Sequence, residues 1–315
     1  MLICGSVWVI RITRSITLPS EEHPLCFYSD QTRDDLRRLF LQALKSARES
    51  IDLSIYALTD ADFLSLLQKK RQEGVLVTIH YDAKATSLPP ALQQECITLP
   101  HRKKSLMHRK LLIIDHKLIL LGSANLTTAS LTMHDNLVVG IYHQELGRQL
   151  EARLPLSHFT LSDQAGKVWL LPESRSNALE SLLEELQKAK KKICLAQFTL
   201  THPALVEGLL SARSRGVIVL CVLDHYTAEG ASRHALESLK EGGVSLFVSK
   251  GQQLFHHKWV CIDDKILFTG SANWTKAAFS KNSDLLLALH PLNKEQRKYM
   301  RKIWKTIKSD SERKI

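Results

Sequence analysis

Apolar positions along this chain fall into two patterns that take turns: stripes at helical spacing and short continuous runs. Residues Asp34 to Ser50 set Leu36, Leu39, Phe40, Ala43 and Leu44 on one helical face, and Ala178 to Lys190 repeat the stripe with Leu179, Leu182, Leu183 and Leu186. Each stripe predicts an amphipathic helix, and the apolar runs that follow, Ile51 to Thr59 and Ile193 to Thr201, predict strands. Helices are expected next over Asp60 to Glu73 and His202 to Arg215, each closed by a glycine suited to a left-handed cap, Gly74 or Gly216. Val75 to Tyr81 and Val217 to Leu223 are apolar along most of their length, as in strands covered on both faces. Further on, Leu111 to Ile114 and Leu118 to Leu121 flank Asp115-His116-Lys117, while Lys258 to Ile262 and Ile266 to Thr269 flank Asp263-Asp264-Lys265. Both segments read as antiparallel hairpins with tight turns.

These correspondences form an internal repeat. Ile51 to Thr59 aligns with Ile193 to Thr201 at an offset of 142 (193 minus 51), and Gly74, Val75 and Asp82 meet Gly216, Val217 and Asp224 at the same offset. The hairpin regions align at 148 (256 minus 108), so six extra residues (148 minus 142) enter the second half between Asp224 and His256, in a loop or longer helix around Ala228 to Gly242. Each half reads helix, strand, helix, strand, connecting segment, hairpin, helix, strand. The expected fold is therefore α/β, with two pseudo-symmetric halves, each a mixed sheet flanked by helices, over residues 22–153 and 167–315. The seam is expected in Leu154 to Lys167, which contains Pro155 and Gly166. The last stripe, about Lys294 to Lys308, sets Met300, Ile303, Trp304 and Ile307 apart from a strongly basic face. Docking of its apolar side on the core is preferred over a place at a membrane surface.

The repeat also carries chemistry. His108, Lys110, Asp115, Gly122, Ser123 and Asn125 in MHRKLLIIDHKLILLGSAN return as His256, Lys258, Asp263, Gly270, Ser271 and Asn273 in FHHKWVCIDDKILFTGSAN, each displaced by 148. A lone His and Lys on a strand are usually a solvated surface feature, and GSAN alone could be any turn. Joint recurrence at one offset removes most of that weight. Side chains two apart on a strand share a face, so His108 stands with Lys110 while Arg109 points away, and His257 is expected to be a bystander.

The pattern H-x-K-x4-D-x6-G-S-x-N, present twice, resembles the signature of the phospholipase D superfamily. The resemblance implies a phosphodiesterase whose two motifs meet in one active site at the interface between the halves, where a histidine attacks phosphorus and no metal or other cofactor is required. It suggests His108 as nucleophile and His256 as acid, an order that the symmetry of the repeat does not supply. One neutral imidazole would form a phosphohistidine, while the other, protonated, would donate to the departing oxygen and later take a proton from water. Lys110, Lys258, Asn125 and Asn273 would hold the nonbridging oxygens. Each ring needs an acceptor to fix its tautomer. Where the family usually has a glutamate after GSxN, the nearest candidates here are shorter: Asp135 in MHDNLVVG and Asp284 in KNSDLLLAL, ten residues after Asn125 and eleven after Asn273 (135 minus 125; 284 minus 273). Asp115 and Asp263 read as structural, bonded to turn backbone, and Ser123 and Ser271 as supports without chemistry. With both motifs in one chain, the working unit is expected to be a monomer.

Charge narrows the partner to an anion: 43 Lys and Arg against 32 Asp and Glu give a net +11. Basic clusters lie at Arg102-Lys103-Lys104, just ahead of His108, and at Lys188, Lys190, Lys191 and Lys192. The first is placed to gather phosphate head groups or a polynucleotide backbone. Phospholipid head-group hydrolysis is the expected reaction. Nucleic acid is the alternative substrate, phosphatidyl transfer a third reading, and a noncatalytic module binding an anionic surface the alternative of another class. Few aromatics near the motifs could stack bases, namely Trp274, Phe255 and Trp259, which favours lipid. The six cysteines show no metal-ligand spacing, and Cys194, Cys221 and Cys261 read as buried thiols compatible with a reducing cytoplasm. Met1 to Ile10 is apolar but too short to span a bilayer and lacks the charge order of a signal peptide. A buried N-terminal strand, in a cytoplasmic or peripheral-membrane protein, is the expectation.

Overall fold

The computed structural model describes residues 16–172, 175–251 and 253–314, so the expected strand at Met1 to Ile10 lies outside the described residues. Among the described residues, the first half contributes seven strands: β1 Leu25–Tyr28, β2 Ser50–Ile55, β3 Leu76–Asp82, β4 Ile97–His101, β5 Lys110–Ile114, β6 Leu118–Gly122 and β7 Val138–Tyr142. They form one sheet in the order β1-β7-β6-β5-β2-β3-β4. The second contributes nine: β8 Leu156–Leu161, β9 Gln164–Leu170, β10 Lys192–Gln197, β11 Ile218–Leu223, β12 Ser245–Ser249, β13 Lys258–Ile262, β14 Ile266–Gly270, β15 Leu285–His290 and β16 Ser311–Lys314. Their order is β16-β12-β11-β10-β13-β14-β15-β9-β8. Strands β2, β3 and β4 run parallel, as do β10, β11 and β12, while the hairpin strands pair antiparallel to them, so both sheets are mixed.

Helices α1 Leu36–Ser46, α2 Ala61–Gln72, α3 Pro90–Glu95, α4 Thr128–Thr132 and α5 Gln144–Glu151 belong to the first half. Helices α6 Arg175–Lys188, α7 Pro203–Ser214, α8 His225–Glu229, α9 Arg233–Glu241, α10 Lys276–Ser280 and α11 Lys294–Ser309 belong to the second. Helix α1 buries the stripe read from its sequence, Leu36, Leu39, Phe40, Ala43 and Leu44, and the Asp35 side chain caps it by accepting the Arg38 N–H. Alternation along the hairpin strands sorts the core into layers. Leu112 and Ile114 face α1 and α2, Val260 and Ile262 face α6 and α7, and Leu111, Ile113, Trp259 and Cys261 meet in a central layer between the two sheets. Met300, Ile303 and Ile307 of α11 are buried in that central layer, so the apolar side of the last helix docks on the core.

Both hairpins close as read. Asp115 and His116 have φ of 49° and 62°, Asp263 and Asp264 have 53° and 55°. Lys117 N–H reaches Ile114 O, and Lys265 N–H reaches Ile262 O. Positive φ at both central residues is the mark of the type I′ turn, which suits the twist of a two-stranded hairpin and tolerates aspartate.

Two regions differ from the sequence reading. Leu154 to Lys167 is not an open seam: it forms most of the β8–β9 hairpin, which β9 joins to the edge of the second sheet through β15. Gly166 is there for close approach, because a Cβ would sit about 2 Å from the Phe159 ring. The extra length of the second half falls where it is expected, between β11 and β12, where α8 and α9 stand in place of the single short α3. The C-terminal strand β16, absent from the sequence reading, covers the edge of β12. Among the described residues, no helix is long and apolar enough to cross a membrane.

Candidate active site

Pairing brings each motif to the C-terminal ends of the parallel strands. Lys110 lies opposite Ile55 at the end of β2, and Lys258 lies opposite Gln197 at the end of β10. The chain just ahead of each histidine is held by a buried carboxylate at the end of the next parallel strand. Asp82 accepts the Met107 N–H at 3.0 Å, and Asp224 accepts the Phe255 N–H at 3.1 Å. Peptide groups of the opposite half then bracket the histidine. Ser283 donates to Leu106 O and accepts from His108 N–H, while Asp135 donates to Leu254 O and accepts from His256 N–H.

The imidazoles are oriented in the same reciprocal way. His108 Nδ1 lies 2.8 Å from Asp284 Oδ1, in the second half, and His256 Nδ1 lies 3.1 Å from Asn136 Oδ1, in the first. An ionised carboxylate can only accept, so the hydrogen of His108 sits on Nδ1 and the Nε2 lone pair is free. The Asn136 amide is fixed by its own donors, because Nδ2 reaches the carbonyls of Ser130 at 2.7 Å and His134 at 3.1 Å. Its oxygen therefore faces the ring, and Nδ1 of His256 also carries hydrogen. Ser271 Oγ donates to Asp284 Oδ1 at 2.6 Å and Ser123 Oγ to Asn136 Oδ1 at 2.8 Å, so the two motif serines steady the acceptors. Both serines need a glycine before them: a Cβ on Gly122 or Gly270 would stand 2.2 or 2.5 Å from a facing carbonyl oxygen.

Around the rings, Lys110 Nζ donates to His108 O at 2.7 Å and Lys258 Nζ to His256 O at 3.0 Å. Tyr56 stands edge-on to His108 with centroids 5.4 Å apart and lies 5.2 Å from Lys110 Nζ. Phe198 does the same for His256, at 5.2 Å, and for Lys258 Nζ, at 5.0 Å. Burial pushes both imidazoles below the usual histidine range and nearby lysines push them further, His256 most strongly. Burial also lowers Lys110 to about 7 and Lys258 well below the usual amine range. Lys258 acts on His108, while Lys110 and His108 act on His256, so the four groups feel one another across the halves. Burial pushes the Asp284 carboxyl up, but His108, Lys110 and Ser271 outweigh it and hold the carboxyl below its usual range. The pocket gathers four potentially cationic groups around one such carboxylate, an arrangement that an entering anion would relieve.

Most sequence-predicted residues meet here, with instructive exceptions. Asp284 is an imidazole acceptor; Asp135 is not. The Asp135 carboxyl turns to Asp30, where burial and that neighbour push it up to about 8, and only its peptide serves His256. Asn136 is the counterpart of Asp284 at the motif offset of 148 (284 minus 136). Asp115 accepts the N–H groups of Arg48, Glu49 and Ser50, and Asp263 those of Lys190, Lys191 and Lys192. Their role is structural, but the backbone they bind is the entry to β2 and β10 instead of their own turns. Asn125 Oδ1 lies 3.4 Å from the Ala57 nitrogen, whereas the buried Asn273 Oδ1 has no hydrogen-bond partner among the described residues. His257 points away and bonds Gln31. Sequence reading missed Asn136, Tyr56, Phe198 and the bracing roles of Asp82 and Asp224. Among the described residues, no group of three or more His, Cys, Asp or Glu is disposed to hold a metal ion.

Two pseudo-symmetric α/β halves with a reciprocal His-Lys site define a phospholipase D-like protein. The family profile described as "Cardiolipin synthase, PLD-like domain" matches residues 40–155 and 182–306, and the chain belongs to this family. A mitochondrial cardiolipin hydrolase from Xenopus laevis is 33% identical over 118 residues, which is 37% of this chain and 55% of that protein. The chain thus spans about half the length of this curated relative. A phospholipase D from Rickettsia conorii is 23% identical over 137 residues, 43% of this chain and 68% of that one. The crystal structure of phosphatidylserine synthase from Haemophilus influenzae superposes with a TM-score of 0.75 at 12% identity, covering 94% of this chain and 89% of that one, which shows a shared fold.

Proposed function

We propose that the protein is a metal-independent phosphodiesterase of phospholipase D type that hydrolyses phospholipid head-group phosphodiesters. The observation that carries this reading is the pair of imidazoles, each with Nδ1–H held by an acceptor of the opposite half and Nε2 left free. In the proposed reaction, the Nε2 lone pair of His108 forms an N–P bond as the P–O bond to the head-group alcohol breaks. His256, which takes up a proton on Nε2 as the anionic substrate arrives, gives that proton to the departing oxygen. Water then attacks phosphorus, gives a proton back to His256, and the N–P bond returns its electron pair to His108. Lys110, Lys258, Asn125 and Asn273 hold the nonbridging oxygens as charge builds on them.

Two observations favour lipid over nucleic acid. Phe255, Trp259 and Trp274 are each 1% exposed, so none offers a face to a base. Strands β3 and β11 run toward the site, and the end at which they finish presents Met133, 59% exposed beside His134, and Tyr226, 62% exposed just after Asp224. The exposed Arg102, Lys103 and Lys104 lie in the loop leading to His108. Apolar side chains beside a basic loop suit the surface of an anionic bilayer. The lipid names of the Xenopus and Rickettsia relatives agree with this reading. The test offers phospholipid vesicles, single-stranded and double-stranded nucleic acids to the wild type and to His108→Asn. Head-group alcohol released by the wild type alone is expected; nucleotide release sensitive to the substitution, with lipid untouched, would overturn the choice of substrate.

A further inference from the structure

The motif positions of the two halves match one for one, yet the acceptors behind the histidines differ: Asp284 holds His108 and Asn136 holds His256. Asn136 occupies the place that symmetry gives to a carboxylate, and three fixed contacts aim its oxygen: Nδ2 to Ser130 O and His134 O, and Ser123 Oγ onto Oδ1. We propose that Asn136 is a positioning residue that makes the two histidines unequal, holding His256 by a neutral oxygen as the stronger proton donor and leaving the phosphoryl group to the carboxylate-backed His108. The proposal rests on the phosphodiesterase reading above and adds to it a structural reason for the division of labour.

The chemistry distinguishes the two acceptors at each step. When the Nε2 lone pair of a histidine becomes an N–P bond, its ring acquires a positive charge that it keeps through the lifetime of the intermediate. A carboxylate 2.8 Å away, as at His108, stabilises that charge; a carboxamide offers only a dipole. The ring that surrenders a proton has the opposite need, since a carboxylate behind it would hold the proton back. His256 meets that need. The charged groups acting on it are Lys258 two residues further along, Lys110 and His108 from the first half, and His134 across the inter-half bridge, all cationic when protonated. Phe198 covers it edge-on and adds no charge. The substrate phosphodiester would supply the missing negative charge, so protonation of His256 is coupled to substrate arrival.

The experiment follows the imidazole resonances of His108 and His256 by NMR against pH in the free wild type, in Asn136→Asp and in Asn136→Ala, together with pH profiles of kcat/KM. In the wild type, His256 should titrate below His108. Asn136→Asp should raise the His256 midpoint by at least ~1 pH unit, the usual effect of an adjacent opposite charge, and carry the acidic limb of kcat/KM, which the lower-titrating ring sets, upward with it. Asn136→Ala should lower kcat without that upward movement, a pattern that mere loss of packing would not separate from Asn136→Asp. An unmoved His256 midpoint in folded Asn136→Asp overturns the proposal. Should that variant not fold, a wild-type His256 that titrates above His108 overturns it instead. The titrations need no turnover, so a wild type inactive on every phosphodiester would refute the proposed function while the NMR result still judges the role of Asn136.

Discussion

At the scale of single residues, the site is short of negative charge until a substrate brings it. Lys110 is lowered to about 7 by burial, only partly offset by Asp284 and Asp82, so its ammonium is present below that pH and lost above it. Affinity for a soluble dialkyl phosphate, whose own charge is constant in this range, should therefore weaken as pH rises through about 7, with proton uptake on binding seen by calorimetry in buffers of different ionisation enthalpy. Lys110→Met should bind more weakly and without that slope. His108→Asn and His256→Asn should each cut turnover by at least ~100-fold; near-normal rates in the purified variants would remove the assignment. The histidines, lysines and asparagines of the motifs were legible because they recur at one offset. Asn136 was hidden by the search for a carboxylate: Asp135 lies one residue too early, and the unequal spacings of ten and eleven were the signal that the true counterpart of Asp284 is not an acid. Tyr56 and Phe198 fall at the offset of 142 (198 minus 56), but an aromatic at a strand end carries no mark of its neighbours.

At the scale of elements, the sequence displayed the parts whose pattern is local. Amphipathic helices, apolar strands and Asp-rich turns were legible because each depends on its own spacing. The β8–β9 hairpin was not, since Pro155 and Gly166 look like linker residues until Phe159 is seen packed on Gly166. Asp115 and Asp263 tie distant elements together by collecting three backbone N–H groups each. Asp115→Ala should cost about 1–2 kcal/mol in urea unfolding, since the freed donors lie near enough to solvent to be partly rehydrated. The Asp30–Asp135 pair works in the other direction. Burial pushes Asp30 up to about 6, and burial with Asp30 pushes Asp135 up to about 8, so the folded protein keeps protons that the unfolded chain releases near pH 4. The more protonated state is favoured at low pH, and stability should fall as pH rises from about 4 to about 8. Asp135→Asn should raise the melting temperature at pH 8 and change it little at pH 4; equal shifts at both would argue against a shared proton.

At the scale of the whole molecule, neither half contains a complete site. His108 needs Asp284 and His256 needs Asn136, so the two sheets must pack across the central layer before either ring is oriented. The family resemblance implied that the motifs would meet; it did not indicate that each histidine would be held by the other half, because that exchange depends on how the sheets face each other. The same packing sends the ends of β3 and β11 to one surface of the molecule, where Met133 from the first half and Tyr226 from the second stand exposed. Their counterparts in exposure at the opposite end, Leu76 and Ile218 at the starts of the same strands, have no such relation to the site. If the site end meets a bilayer, burying each of the two side chains contributes roughly 1.5–3 kcal/mol to docking, enough to change occupancy by about tenfold or more. Met133→Asp with Tyr226→Asp should thus lower hydrolysis of phospholipid in anionic vesicles at least ~10-fold while leaving kcat/KM for a soluble phosphodiester unchanged. Leu76→Asp with Ile218→Asp should leave both rates alone. Equal losses on vesicles and on the soluble substrate would place the effect in the catalytic pocket, and no loss on vesicles would remove this surface from lipid recognition.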